Sequence, residues 1–146
     1  MADEHTRQLA LSWQRNAAGW TRAVREQRID SRRLVTNAAV LEAVLALSPR
    51  RVLDIGCGEG WLCRALRRHG IEALGVDASA ALIGAARAGG EGDYRICTYA
   101  DLAGAGLGLF DLLVCNFALL DEDLQPLLHS LAALLVPGGR LLIQTV

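Results

Sequence analysis

Three glycines alternate with other residues directly behind a short apolar run, in the segment 52–60, which reads VLDIGCGEG. They are Gly56, Gly58 and Gly60. Because glycine has no Cβ atom, the backbone at these positions can adopt a positive φ and approach a bound molecule closely. A strand that ends in such a turn and leads into a helix is typical of nucleotide-like binding sites in doubly wound sheets. A tight turn without a ligand is the alternative interpretation.

From Arg51 onward, short apolar runs alternate with helical patterns. Nearly continuous apolar strands separated by helices are typical of a parallel sheet that is covered on both faces. Right-handed crossovers then give a doubly wound, Rossmann-like α/β fold with a mostly parallel sheet. The segment Ala100–Leu109 is predicted as a loop with or without one helical turn, and Pro137–Gly139 as a turn. The predicted strands are 51–55, 71–77, 94–99, 110–117 and 140–146, and the predicted helices are 59–69, 79–88 and 121–135.

Residues 1–48 are predicted to form an N-terminal helical cap or lid segment ahead of the core at 49–146, within one domain overall. Residues 6–27 read as an arginine-rich helix. A second helix is predicted at 32–47, capped by Asp30 or Ser31. Its side chains that would face the sheet are Leu34, Ala38, Leu41 and Leu45.

Composition excludes several classes of function. The formal net charge of −1 gives no electrostatic case for nucleic acid or for an anionic membrane. The polar N-terminus is unlike a signal peptide, and the apolar runs are too short for a transmembrane helix, so we expect a cytoplasmic protein. The three histidines are scattered without metal-ligand spacing, so no metal site is expected. The four cysteines are expected to be buried free thiols: Cys57, Cys63, Cys97 and Cys115.

The choice between ligands depends on a few residues around the glycine loop. Asp77 ends the second predicted strand, where a carboxylate can accept both hydroxyls of a ribose; a helix cap is the alternative. The dinucleotide pattern G-x-G-x-x-G requires glycine at the position of Trp61. A carboxylate such as Glu59 or Asp54 at ~6 Å from a phosphate costs roughly 3 kcal/mol at an effective dielectric of about 20. S-adenosylmethionine has no phosphate and carries an ammonium and a sulfonium, so it tolerates these carboxylates.

With these residues, the sequence resembles the class I S-adenosylmethionine-dependent methyltransferases. Five motifs occur in order over about 95 residues: VLDIGCGEG, GVDAS at 75–79, YADL at 99–102, FDLLVCNFALL at 110–120 and LVPGGRLLI at 135–143. The fourth motif is similar to the small-molecule branch, akin to ubiquinone-biosynthesis methyltransferases. It lacks the Asn-Pro-Pro-Tyr-like strand end of the enzymes that methylate amino groups of DNA and protein.

The resemblance implies a role for several residues in binding the methionine part of the cofactor. Gly56, Cys57 and Gly58 would line it, and Asp54 would act on its ammonium through the loop amides or a water. The backbone around Asn116 would face the reacting methyl group. A strand-end residue that bonds its own loop is the alternative interpretation of Asn116.

The adenosine part would be bound by four further residues. Asp77 and Ala78 would hold the ribose, Asp101 would accept from the adenine amino group, and the amide of Leu102 would reach a ring nitrogen. A helix cap or a loop charge is the alternative for Asp101.

The N-terminal segment carries an aromatic face formed by Trp13, Asn16, Ala17 and Trp20. In the resembled family, aromatic residues of this region often cover the cofactor or the acceptor. We expect this helix to pack on the domain, with one tryptophan, Trp20, in the cofactor pocket. The arginines of the segment, among them Arg22 and Arg25, are candidates for attracting an acidic acceptor, with a solvated surface as the alternative.

The implied function is in-line methyl transfer to a small-molecule acceptor. No general base can be assigned. A cofactor-binding module without turnover is the alternative, and a nicotinamide-dependent oxidoreductase is a third interpretation. The resembled fold has seven strands, and this sequence contains the first five, so strands six and seven are expected to be missing. Because the outer side of strand five is then unpaired, the chain is expected to self-associate through that edge as a two-fold dimer.

Overall fold

Five parallel strands follow the five apolar runs of the sequence. The computed structural model describes residues 2–26, 28–30, 35–119 and 123–145. The strands lie in the order β3-β2-β1-β4-β5, and every neighbouring pair is parallel. The predicted doubly wound sheet is confirmed, with its order reversing between β1 and β4, where open sheets of this kind bind ligands. The strands are β1 (Arg51–Ile55), β2 (Glu72–Asp77), β3 (Asp93–Ile96), β4 (Phe110–Asn116) and β5 (Leu135–Gln144).

Helices cover both faces of this sheet. The helices are α1 (Ala2–Arg25), α2 (Asn37–Leu47), α3 (Trp61–Arg68), α4 (Ala80–Ala88) and α5 (Gln125–Ala132), and a 3-10 helix spans Tyr99–Gly104. Alternate residues of β1 point to opposite faces. Val52 packs into a core formed with α2, α3 and α4, while Leu53 packs into a second core formed with the 3-10 helix and α5. None of the helices in the described ranges is both long and apolar enough to span a membrane.

The ends of α4 and α3 follow local chemistry. The Ser79 hydroxyl accepts a hydrogen bond from the Leu82 amide at 3.2 Å, so Ser79 is the N-cap of α4, and Gly89 is its C-cap. Helix α3 begins at Trp61, two residues later than predicted, because Gly60 still has a left-handed φ of 87°. The third strand is also shorter than predicted, since Tyr99 already begins the 3-10 helix.

The predicted buried face of α2 is wrong except at Leu41, which is half-buried and packs against the core. Val40 and Val44 are buried, whereas Ala38 is exposed and Leu45 is half-buried. Nearly every position of this helix is apolar, so its periodicity does not define which face packs on the sheet. The helix begins at Asn37, several residues after the predicted N-caps Asp30 and Ser31. Ser31 and Leu34, which belong to that prediction, lie outside the described ranges.

The turn predicted at Pro137–Gly139 lies inside β5 instead of ahead of it. Phe110 pairs with Leu135, and Leu112 pairs with Arg140, so four residues of β5 stand opposite one residue of β4. Because Leu135 is already a strand residue, α5 ends at Ala132, earlier than predicted. The predicted start of that helix at Asp121 falls outside the described residues.

The predicted N-terminal helix is present as α1, which packs chiefly against α4. Its buried residues are Ala17, Thr21 and Val24. The rings of Trp13 and Trp20 are half-buried and meet edge to face with their centroids 5.5 Å apart. The expected aromatic face therefore packs on itself and on the domain.

Candidate functional site

The glycine loop between β1 and α3 is fixed to the carboxyl end of β2. The amides of Gly56 and Cys57 both donate to the carbonyl oxygen of Val76, at 2.9 Å each. The three loop glycines have φ angles of 72°, 57° and 87°, in the region that side chains other than glycine rarely adopt. The backbone conformation of this turn is therefore enough to require glycine at these three positions, whether or not a ligand is bound.

The three glycines differ in what surrounds them. A Cβ atom on Gly56 would lie 2.6 Å from Cβ of Ala118, and one on Gly60 would lie 2.7–2.8 Å from the ring and hydroxyl of Tyr94. A Cβ atom on Gly58 would instead meet one atom of the described residues within 4 Å, Nε1 of Trp20 at 3.7 Å. Packing thus occupies the space beside Gly56 and Gly60, and the open space beside the loop is at Gly58.

Tyr94 supports the loop from below, and sequence reasoning did not identify it. Its hydroxyl donates to the carbonyl oxygen of Gly60 at 3.3 Å, and burial raises its pKa to about 12. Tyr94 pairs with Gly75 of β2, where an added Cβ atom would lie 2.8 Å from Sγ of Cys57. Gly75 in the sequence indicates that other side chains pack closely on β2 at this position. Identifying Tyr94 as one of them requires the register between β2 and β3.

Asp77 lies at the end of β2 with its carboxylate beside the loop. Its Oδ2 accepts from the Gly58 amide at 3.0 Å, and its Oδ1 accepts from the Ser79 amide at 2.9 Å. Burial raises the pKa of Asp77, and the two amide hydrogen bonds counteract part of that rise. A carboxylate has about four acceptor positions, so each oxygen retains room for a further donor. The neighbouring Ala78 is exposed.

Asp54 and Cys57 occupy the layer under the loop. Asp54 is 2% exposed, and the thiol of Cys63 donates to its Oδ2 at 3.8 Å. The side chain of Cys57 is buried in the core shared with α3 and α4, so its side chain does not face the open space beside Gly58. Burial and, after it, the Asp54 carboxylate raise the pKa of Cys63 and of Cys57. The prediction of buried free thiols is confirmed for all four cysteines.

The expectation that the charge of Glu59 would oppose a phosphate at the loop is wrong. Its side chain is fully buried and forms ion pairs with Arg25 and Arg64, at 3.0 and 2.5 Å. Because these arginines compensate its charge, Glu59 does not oppose a phosphate at the loop. The departure from the dinucleotide pattern at Trp61 is independent of this charge and still stands.

The 3-10 helix after β3 carries the residues predicted to bind adenine. Asp101 is exposed, and its Oδ2 accepts from the Thr98 hydroxyl at 2.8 Å. The side chain of Leu102 is fully buried in the core. The hydroxyl of Tyr99 donates to the carbonyl oxygen of Ala118, which joins this segment to the loop behind β4.

Asn116, at the end of β4, bonds a neighbouring strand and not its own loop. Its Oδ1 accepts from Nε2 of Gln144 at 2.7 Å, and the same amide donates to the carbonyl oxygen of Thr36 at 3.2 Å. The following residue, Phe117, has a left-handed φ of 55°, which is uncommon for an aromatic side chain and typical of constrained functional segments. Together these contacts tie the start of α2 to the carboxyl ends of β4 and β5.

Comparison with known proteins agrees with this geometry. Residues 24–146 match a protein-family model described as a methyltransferase domain. An S-adenosylmethionine-dependent methyltransferase from Mesorhizobium loti is 32% identical, with a TM-score of 0.58 over 70% of this chain and 50% of that chain. This chain belongs to the class I S-adenosylmethionine-dependent methyltransferase family.

Two further comparisons show how far the likeness extends. A ubiquinone biosynthesis O-methyltransferase from Xanthomonas oryzae pv. oryzae is 34% identical over 113 residues, which are 73% of this chain and 47% of that relative. A magnesium protoporphyrin IX methyltransferase from Synechocystis, solved with bound S-adenosylhomocysteine, shares the fold at 24% identity, with a TM-score of 0.57 over 67% of this chain and 49% of that chain. The chain spans about half the length of the curated relatives it matches.

Proposed function

We propose that this methyltransferase chain binds S-adenosylmethionine between Gly58, Asp77 and Trp20, and that the protein methylates a small-molecule acceptor. The observation that carries the proposal is the open space beside Gly58, next to a carboxylate with unused acceptor positions. This space lies at the carboxyl ends of the strands, where doubly wound sheets bind their ligands.

The residues around this space fit the cofactor part by part. Each oxygen of Asp77 can accept one ribose hydroxyl in addition to its backbone donor. Asp101 is exposed and can accept from an adenine amino group, although it also bonds Thr98. The loop at Gly58 allows close approach of the methionine part, and Trp20 covers that position from α1.

The cofactor supplies a methyl group on a sulfonium, which is already an activated leaving group. The remaining work of the protein is to orient the reactants and to exclude water. Trp20 excludes water above Gly58. The side-chain amide of Gln144 donates to Asn116 and to the carbonyl oxygen of Thr36, and these bonds fix the β4–β5 side of the cleft, from which the acceptor would approach.

An oxygen atom of a small molecule is the acceptor that the relatives favour. The relatives at 34–36% identity are named ubiquinone biosynthesis O-methyltransferases. The net charge of −1 agrees with a small neutral or weakly charged acceptor. We propose a cytoplasmic location for the protein.

The experiment that tests the proposal is calorimetric titration of the 146-residue chain with S-adenosylhomocysteine. Wild-type binding should be specific, and Asp77→Asn should weaken it. Asp93→Asn is the matched control, because Asp93 is exposed at the amino end of β3, whereas Asp77 lies at the carboxyl end of the neighbouring strand β2. Binding of NAD without binding of S-adenosylhomocysteine would overturn the proposal.

A second assay separates catalysis from binding. Transfer of a labelled methyl group from S-adenosylmethionine to a panel of phenols and catechols should yield O-methylated products. Specific cofactor binding with no transfer to any acceptor would favour the alternative of a binding module.

A further inference from the structure

A buried carboxylate in the glycine loop pairs with one arginine from α1 and one from α3. The side chain of Glu59 has no exposed surface, and its Oε2 accepts from Nε of Arg25 at 3.0 Å and from Nη2 of Arg64 at 2.5 Å. A buried charge is costly unless it is paired, so the loop conformation depends on these guanidinium groups.

The two arginines have different tasks. Arg64 belongs to α3, directly behind the loop, and its Nη1 also donates to the carbonyl oxygen of Glu59 at 2.6 Å, which fixes the loop locally. Arg25 comes from the end of α1, 34 residues away from Glu59, and its Nη2 donates to the carbonyl oxygen of Ala85 in α4 at 2.7 Å. Arg25 is therefore the group that connects α1 to both the loop and α4.

Glycine at the end of α4 makes room for both guanidinium groups. A Cβ atom on Gly89 would lie 2.5 Å from Nη2 of Arg25 and 2.9 Å from Nη1 of Arg64. Gly89 has a negative φ, so its backbone conformation does not require glycine. The arginine pair thus takes up the space beside Gly89.

Helix α1 has few other anchors on the domain. Of its 24 residues, those with buried side chains in the described set are small: Ala17, Thr21 and Val24. An open groove of about 480 Å³ lies between α1 and α4 and is lined by residues of both helices. Trp20 lies on this helix five residues before Arg25 and covers Gly58.

We propose that Arg25 is a positioning residue that sets how long the cofactor stays bound. Its ion pair with Glu59 holds α1 on the domain, and α1 holds Trp20 over the loop. When the pair is broken, α1 separates and uncovers Gly58, although Arg25 itself does not touch the cofactor. This inference rests on the proposed function for its binding part, while its structural part concerns the ligand-free protein.

The test compares wild type with Arg25→Ala, Arg25→Lys and a matched control, Arg22→Ala. Arg22 is exposed one turn earlier on α1 and forms no ion pair with the described residues. Stopped-flow tryptophan fluorescence gives the rate at which S-adenosylhomocysteine dissociates. Hydrogen exchange gives the opening of α1 without ligand.

We expect Arg25→Ala to release the ligand at least ten-fold faster and to exchange the amides of α1 faster, with β1 and β4 unchanged. The ligand dissociation rate of Arg25→Lys should lie between those of wild type and Arg25→Ala, because an ammonium lacks the rigid fork that reaches Glu59 and Ala85 together. Arg22→Ala should behave as wild type. In a Glu59→Gln background, Arg25→Ala should add little, because the two residues act through one contact.

Two results would overturn the inference. One is a wild-type dissociation rate in Arg25→Ala. The other is faster exchange throughout the sheet in that variant, which would make Arg25 a general stability residue. If wild type binds no S-adenosylhomocysteine, the proposed function fails, and exchange of α1 in Arg25→Ala against Arg22→Ala still decides whether the ion pair holds the helix.

Discussion

Two alanine substitutions in the glycine loop should differ in their main effect, one on stability and the other on cofactor binding. Both Gly58 and Gly60 have a left-handed φ, which costs an alanine about 1–2 kcal/mol at either position. At Gly58 the added Cβ atom would make one ordinary contact, 3.7 Å from Nε1 of Trp20, so the backbone cost is the whole effect on stability. At Gly60 the Cβ atom would lie 2.7–2.8 Å from Tyr94, and such overpacking adds about 1–3 kcal/mol. Gly60→Ala should therefore be the less stable variant and Gly58→Ala the one that loses cofactor.

Thermal unfolding and calorimetry measure the two effects separately. A difference of 1 kcal/mol corresponds to roughly 2–4 °C in Tm for a domain of this size. The Tm of Gly60→Ala should therefore be lower than that of Gly58→Ala, by roughly 2–4 °C for each kcal/mol of overpacking. At a temperature where both are folded, Gly58→Ala should bind S-adenosylhomocysteine more weakly than Gly60→Ala.

Relief of the contact provides the decisive control. Tyr94→Leu removes the ring that a Cβ atom at position 60 would strike, so Gly60→Ala should cost about 1 kcal/mol less in that background than in wild type. Equal Tm values for the two single variants, or additive effects of Gly60→Ala and Tyr94→Leu, would refute the packing argument. Wild-type affinity in Gly58→Ala would show that the open space at this position does not bind the cofactor.

Four further outcomes are expected. Asp77→Ala should weaken S-adenosylhomocysteine binding about ten- to a hundred-fold, because a charge-assisted hydrogen bond contributes roughly 1.5–3 kcal/mol; unchanged affinity in calorimetry would contradict the ribose assignment. Burial raises the pKa of Asp77, so its carboxylate becomes protonated at a higher pH than an ordinary aspartate. Affinity should accordingly be full above that raised pKa and fall as the pH drops through it, and in Asp77→Asn this dependence should vanish. The thiols are buried, and burial raises the pKa of Cys115 to about 12, so iodoacetamide should label the folded protein only as fast as it unfolds, as mass spectrometry would record. The unpaired outer side of β5, where Ile143 is 43% exposed, should make the 146-residue chain self-associate as a dimer, and a monomer at high concentration in sedimentation would show this prediction to be wrong.

Local patterns in the sequence predicted the elements of the fold well. The strands are short apolar runs between turn residues, and the Ser79 cap and the glycine loop are signals carried by adjacent residues. The buried face of α2 was not predictable in this way, because a helix that is apolar on nearly every side has no distinct stripe. Its orientation is decided by the sheet, through Val40 and Val44.

The contacts that sequence reasoning missed join residues far apart in the chain. Glu59 and Arg25 are separated by 34 residues, and so are Tyr94 and Gly60. An isolated glutamate in a loop has the same appearance whether it is solvated or buried with two arginines. Asp77 was identified because its position at a strand end follows from the local pattern, but its bond to the Gly58 amide needed the structure.

The ring of Tyr94 sets a condition on three separate glycines. Cβ atoms at positions 60, 75 and 92 would all come closer than 3.0 Å to its atoms. A shorter residue at 94 would remove this conflict, but Gly60 would keep its left-handed φ and a Cβ atom at 75 would still lie 2.8 Å from Sγ of Cys57. Position 92 is therefore where a side chain should become tolerated in lineages that lose the tyrosine. Co-variation between positions 94 and 92 would then record a shared steric history, in which one aromatic substitution opens or closes a mutational route at a neighbouring turn.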